Sequence, residues 1–129
     1  MMRNKLAVGE DTSIRICAKE KWNDSQIGME AGETYYFEAQ GKWTDLWKKV
    51  DADGFSHPLM DLYKKIKRSP DHNWFALMGS LDRSTPFLIG TSQTITMDRS
   101  GMFSCFANDA IRFYWNNSGF VELTITRIA

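Results

Sequence analysis

The sequence predicts an all-β fold, a small jelly-roll β-sandwich with one short helix. Three observations predict it. Turn-forming clusters ("NDS", "AGE", "QGK", "DADG", "RSTP", "DRSG", "NNSG") interrupt the chain at short intervals. The runs between them alternate apolar and polar positions. A single segment departs from that alternation, with helical spacing instead. The 129 residues, 43% of them apolar, make one domain (1–129) with one core.

Taken in order, "TSIRICA" puts Ile14 and Ile16 on one face and Arg15 and Cys17 on the other. In "ETYYFEAQGKW", Tyr35, Phe37 and Ala39 alternate with Tyr36 and Glu38. The runs "WFALMGSL", "PFLIG", "QTITM" and "GMFSCFAN" are strand-like and short. In "GFVELTITRI", Val121, Leu123, Ile125 and Arg127 alternate with Glu122, Thr124 and Thr126, the pattern of a half-buried antiparallel strand. The exception is "HPLMDLYKKIKRSP", where Leu59, Leu62, Tyr63 and Ile66 stand at helical spacing between Pro58 and Pro70. It predicts a short amphipathic helix lying against the sandwich, with "YKKIKR" as its solvated basic face. Large aromatics dominate cores, and Trp22, Trp43 and Trp74 are expected there, with Trp47 on a rim.

Sixteen basic residues balance sixteen acidic ones, so no net field recruits nucleic acid or an anionic membrane. No run approaches the ~20 apolar residues of a membrane span. The opening "MMRNKLAVGEDTS" lacks the apolar stretch of a signal peptide, which gives a cytoplasmic expectation, any export being non-classical. The two cysteines, Cys17 and Cys105, stand apart in strand-like runs and are expected reduced. His72 has no evident partner, and "DADG", without the rest of an EF-hand loop, reads as a turn.

The notable chemistry lies in "FANDAIRFYWNNSGF". Asp109, Asn116 and Asn117 gather hard oxygen donors in a stretch that otherwise reads as strand. Carboxylate, amide and backbone oxygens suit calcium, which takes ~6–8 oxygens at flexible geometry. A vicinal diol of a sugar can complete such a shell. The plain alternative is a connecting loop in which "NNSG" supplies turn conformations. Trp115 offers a face for stacking on a pyranose, or else a core side chain beneath the loop. Catalysis is not expected: only one acidic side chain falls in this cluster, whereas glycoside hydrolysis needs two, and no nucleophile motif accompanies it.

From about Trp22 to Arg127 the chain resembles the PA-I-type galactophilic lectins, a bacterial calcium-dependent family. The resemblance rests on "WNDSQIGMEAGETYYFEAQGKWTD", "DADGF", "WFALMGSL", "FLIG" and, above all, "ND" followed by "NNSG". It implies a galactose-binding-domain-like sandwich that binds galactose or a related sugar through one Ca2+. It also implies the ligands: the Asp109 carboxylate, the Asn116 and Asn117 amides, the Phe113 carbonyl, and a carbonyl at Asp45, with Thr44 or Leu46 one residue away. The sugar would meet His57, Asp109, Phe113, Trp115 and Asn116. Multivalent display implies a homo-oligomer. Two departures stand out: Met60 occupies a position where the family is polar, and "AIRFYW" replaces a small loop. They suggest a second reading, the same fold with its sugar site filled by Phe113, Tyr114 and Trp115, serving as a protein-interaction or assembly module.

Overall fold

The alternating runs form ten strands in two antiparallel sheets in a computed structural model, which describes residues 4–129. The first three residues of the opening segment searched for a leader lie outside that range. The larger sheet holds β1 (Asp11–Cys17), β3 (Thr34–Gln40), β4 (Trp43–Asp45), β5 (Lys48–Val50), β8 (Ser92–Thr96) and β10 (Asn117–Arg127). The smaller holds β2 (Asn23–Met29), β6 (Leu77–Leu81), β7 (Phe87–Leu88) and β9 (Gly101–Ala107). The all-β sandwich expected from the alternation is the fold.

β10 organises the larger sheet. Along one edge it pairs with the whole of β1; along the other it pairs first with β4 and then with β3. Its period-two pattern turns Val121, Leu123 and Ile125 inward, where each is fully buried. Tyr35 and Phe37 from β3 join them, facing Leu77, Phe103 and Cys105 of the other sheet. The Phe37 and Phe103 rings meet between the sheets at 5.2 Å. Side chains of this size each contribute ~1.5–3 kcal/mol when fully buried. Arg127 continues the inward stripe because it reaches Glu33, 3.3 Å away, a buried carboxylate that also accepts the Tyr35 hydroxyl at 2.7 Å. Both cysteines are free, Cys105 in the core and Cys17 half-buried.

The expected helix takes another form. Met60–Ile66 is a 3-10 helix with a break at Tyr63, and none of its residues is buried. Seven residues starting just after Pro58 are too few for α-helical propagation to take hold. Leu59, Leu62, Tyr63 and Ile66 therefore remain exposed instead of covering the sandwich. Nor is the basic run wholly solvated. Lys64 and Lys65 are exposed, but Lys67 is buried, donating to the His72 carbonyl at 2.6 Å beneath the Trp74 ring. Arg68 lies over Phe106 and Trp22, its guanidinium carbon 3.5 and 4.5 Å from the ring centres. Trp22 is thus half-buried on the outer face of the smaller sheet, while Trp43 and Trp74 are interior as expected.

"DADG" is a turn, as its composition implies. The Asp51 carboxylate accepts the Asp53 N–H at 2.9 Å, and Asp53 in turn accepts the Thr91 N–H and hydroxyl at 2.8 and 3.0 Å. Among the described residues no helix is long and apolar enough to cross a membrane.

Candidate functional site

The site forms where β9 crosses to β10, at one end of the sandwich. β9 finishes at Ala107, and Asn108 anchors the crossover. This fully buried amide accepts the Ser69 N–H and donates to the Ser69 and Asn73 carbonyls, all at 2.9 Å. It clamps the loop of residues 69–73 against the start of the crossover; the same loop pairs the His72 ring with the Ser69 hydroxyl at 2.7 Å. A second 3-10 helix, Ile111–Asn116, then carries the chain into β10.

Three aromatic residues of that helix take three directions. Tyr114 turns inward; its hydroxyl donates to the Ala107 carbonyl and accepts from Arg68 at 2.9 Å. Phe113 is half-exposed and forms part of a cavity wall. Trp115 is 70% exposed and does not line the cavity. The "AIRFYW" segment is thus one wall of an open cavity and not a plug.

That cavity encloses about 510 Å3. Of the residues anticipated from the sequence, Asp45, His57, Asp109, Phe113 and Asn116 line it. Asn117 adjoins it at the head of β10, in register with Asp45 of β4. The join is tightened by the Leu46 N–H, which donates to the Asn116 carbonyl at 3.0 Å. Leu46 adopts φ 58°, a left-handed conformation uncommon for a non-glycine residue and a form of strain that gathers at binding sites.

Oxygen atoms at this junction lack partners. Asp109 Oδ1 accepts the Ala110 N–H at 2.7 Å, but its Oδ2 is buried with no hydrogen bond. The Asn117 amide donates to the Ala18 carbonyl at 3.0 Å, leaving its Oδ1 buried and unpaired. Asn116 Oδ1 is in the same state. Four buried side-chain polar atoms lack a partner among the described residues, and these three oxygens are joined only by the Trp74 indole nitrogen. Each buried unsatisfied group costs about 1–3 kcal/mol, so these three acceptors call for donors or a cation that the protein itself does not supply.

Electrostatics bring in a group that no motif in the sequence marks. Burial above all, with the like charge of Asp45, lifts the Asp109 carboxyl to about 6, against the pull of the Ala110 N–H and of the neighbouring Asn117 side-chain amide. Asp45 is itself raised by burial. The expectation of one acidic side chain in the site is therefore corrected: the Asp45 carboxylate lies close enough to act on Asp109. Its proximity depends on the pairing of β4 with β10, residues far apart in sequence, and no local pattern announces it. His57 Nδ1 accepts the Leu59 N–H at 3.2 Å, which places the ring proton on Nε2 and makes that atom a donor. Met60, also in the cavity lining, supplies only apolar contact.

The two carboxylates and two amides at this junction are hard oxygen donors, the chemistry that a divalent cation such as calcium takes. Among the described residues no group of three or more His, Cys, Asp or Glu converges, so a cation held here would depend on amide and backbone oxygens beside the two carboxylates.

No protein-family model matches the chain, and no curated protein does. Among solved structures it is similar to one described as "EclA N-terminal domain; PllA-like lectin", with a TM-score of 0.69, 16% identity, and coverage of 89% of this chain and 94% of that one. At that identity the likeness is one of fold, and this chain has the β-sandwich architecture of that lectin domain.

Proposed function

We propose that the protein binds carbohydrate without catalysis, through a calcium ion held where β9 crosses to β10, with galactose or a related sugar as ligand. The observation that carries this reading is the trio of buried, unpartnered oxygens on Asp109, Asn116 and Asn117. They belong to the three residues that the lectin resemblance makes side-chain ligands, and a cation relieves all three at once. The Asp45 carboxylate brings the local charge to minus two, matching a divalent ion. The Phe113 and Asp45 carbonyls are the remaining donors that the resemblance assigns. Bound there, calcium supplies Lewis-acidic coordination sites that two adjacent sugar hydroxyls can fill.

The chain's own groups orient the sugar. His57 Nε2–H is a donor to a hydroxyl oxygen, and Asp109 and Asn116 accept from hydroxyls beside the ion. Trp115, outside the cavity lining, is left without a first contact with a monosaccharide.

Titration calorimetry with calcium, then with a panel of methyl glycosides in calcium and in EDTA, tests the proposal. Calcium uptake followed by EDTA-sensitive sugar binding is expected, with Asp109→Ala abolishing both. Absence of calcium uptake at millimolar concentrations would remove the reading. Two carboxylates in one cavity also invite a check for turnover: release of nitrophenolate from nitrophenyl glycosides would replace binding with hydrolysis.

A further inference from the structure

The large apolar side chains left in water are gathered in one place. Of the twelve exposed among the described residues, nine belong to three short segments, 46–47, 59–66 and 111–115. Single exposed hydrophobes are ordinary on a protein surface, whereas a contiguous patch of them marks a site of interaction. The three segments ring one opening, because each sends a residue into the lining of the same cavity: Trp47, Tyr63 and Phe113. Leu59, Leu62, Ile111 and Trp115 stand outside that lining. A ligand seated in the cavity leaves them uncovered, Leu62 at 75% and Trp115 at 70% exposure. Their cover has to be a broad surface drawn across the mouth.

Charge selects the kind of surface. The chain is neutral overall, but residues 46–49, 59–66 and 111–115 hold Lys48, Lys49, Lys64, Lys65 and Arg112 against Asp61 alone. Lys49, Lys64, Lys65 and Arg112 are exposed, and the neighbouring carboxylates of Asp45 and Asp109 line the cavity instead. Tryptophan, tyrosine and leucine interleaved with cations are the composition of a membrane–water interface. Indole and phenol rings settle at headgroup depth there, and Lys and Arg reach the phosphates. A second copy of the chain fits less well, since two-fold contact would set these cations against their own counterparts.

We propose that this rim docks on the surface of an anionic lipid bilayer. Leu62 and Trp115 enter the headgroup region, and the surrounding cations meet lipid phosphates. The contact is interfacial and needs no spanning segment; local charge supplies what a net charge of zero does not. It uses neither the calcium nor the sugar of the carbohydrate reading, so either inference can fail alone.

Flotation of the full chain with sugar-free vesicles in EDTA tests it, comparing phosphatidylcholine alone with a mixture containing phosphatidylserine. EDTA keeps calcium from bridging carboxylates to lipid. Partition into the mixed vesicles is expected to be about tenfold or more stronger, and to weaken as salt is raised. Leu62→Ser changes an exposed side chain and should weaken partition about tenfold while leaving sugar binding in solution unchanged. Lys64→Glu combined with Lys65→Glu should remove the preference for phosphatidylserine. Brominated lipid should quench tryptophan fluorescence, and less so in Trp115→Phe, which keeps an apolar ring. Melting transitions confirm that each variant is folded. Absence of partition into the mixed vesicles overturns the inference. So does a dimer in sedimentation that Leu62→Ser dissociates, which assigns the rim to a second copy. Partition without quenching is adsorption by charge alone and overturns the entry of the rim.

Discussion

Asp109 holds its carboxyl at about 6 because burial strips it of water and Asp45 adds a like charge. A carboxyl raised in the fold above its ordinary value of 3.8 favours the folded state while protonated. Without calcium, that contribution is fully present below about pH 3.8 and disappears as pH rises through about 6. Across this interval the calcium-free protein should therefore lose up to about 1.4 kcal/mol per pH unit from this group, read as the difference in melting temperature between the protein and Asp109→Asn. Asp109→Asn should flatten the decline. Calcium needs the carboxylate, so its affinity should climb with pH up to about 6 and then level, with proton release below that point. Calorimetry in two buffers of different ionisation heat reads the released proton. Tyr114 offers a second check on the same junction. Tyr114→Phe deletes a buried donor to Ala107 and the partner of Arg68, and should cost about 1–3 kcal/mol in urea unfolding. The Asp109, Asn116 and Asn117 oxygens were legible because strand sequences rarely gather such groups. The Asp45 carboxylate was not, because its position comes from a strand register with Asn117.

Strands were readable and helices less so, for a physical reason. A period of two survives in seven-residue runs such as β1 and β3, and the inward stripe of β10 is the one its alternation indicates. The spacing in "LMDLYKKI" fits a period of 3.6, but the segment folds as 3-10 turns broken at Tyr63, and no single face is carried through it. Of the four residues expected to cover the core, Tyr63 and Ile66 line the cavity instead, joined there by Met60. The turn at Gly54 links these elements. Its φ is +70°, and a Cβ there would lie 2.1 Å from the Trp74 carbonyl oxygen. Gly54→Ala should cost roughly 3 kcal/mol or more and disturb the Phe55–Trp74 bridge, two residues of the cavity lining. Chemical denaturation measures the loss, and reduced ligand affinity in the surviving folded fraction reports the damaged wall.

For the molecule as a whole, an ion that binds only the native state stabilises by about 2.7 kcal/mol at a hundred times its dissociation constant. For a domain of 129 residues this corresponds to a rise in melting temperature of roughly 10 °C, reversed by EDTA. Sedimentation tests the oligomer that multivalent glycan binding favours, and a glycan array that stays blank in calcium would turn attention to the assembly-module reading. The sandwich was legible because one core needs only correct alternation, whereas the cavity depends on segments from four regions that meet only after folding. The placement of Asn117 carries one more consequence. It heads the strand that holds β1, β3 and β4 together, yet Asn117–Gly119 pair with short β4 alone and the Asn117 N–H is held by the Tyr114 carbonyl. Their amide protons should therefore exchange with deuterated solvent by local opening, sooner than those of Val121–Ile125 between β1 and β3, and a cation held by Asn117 would slow them most.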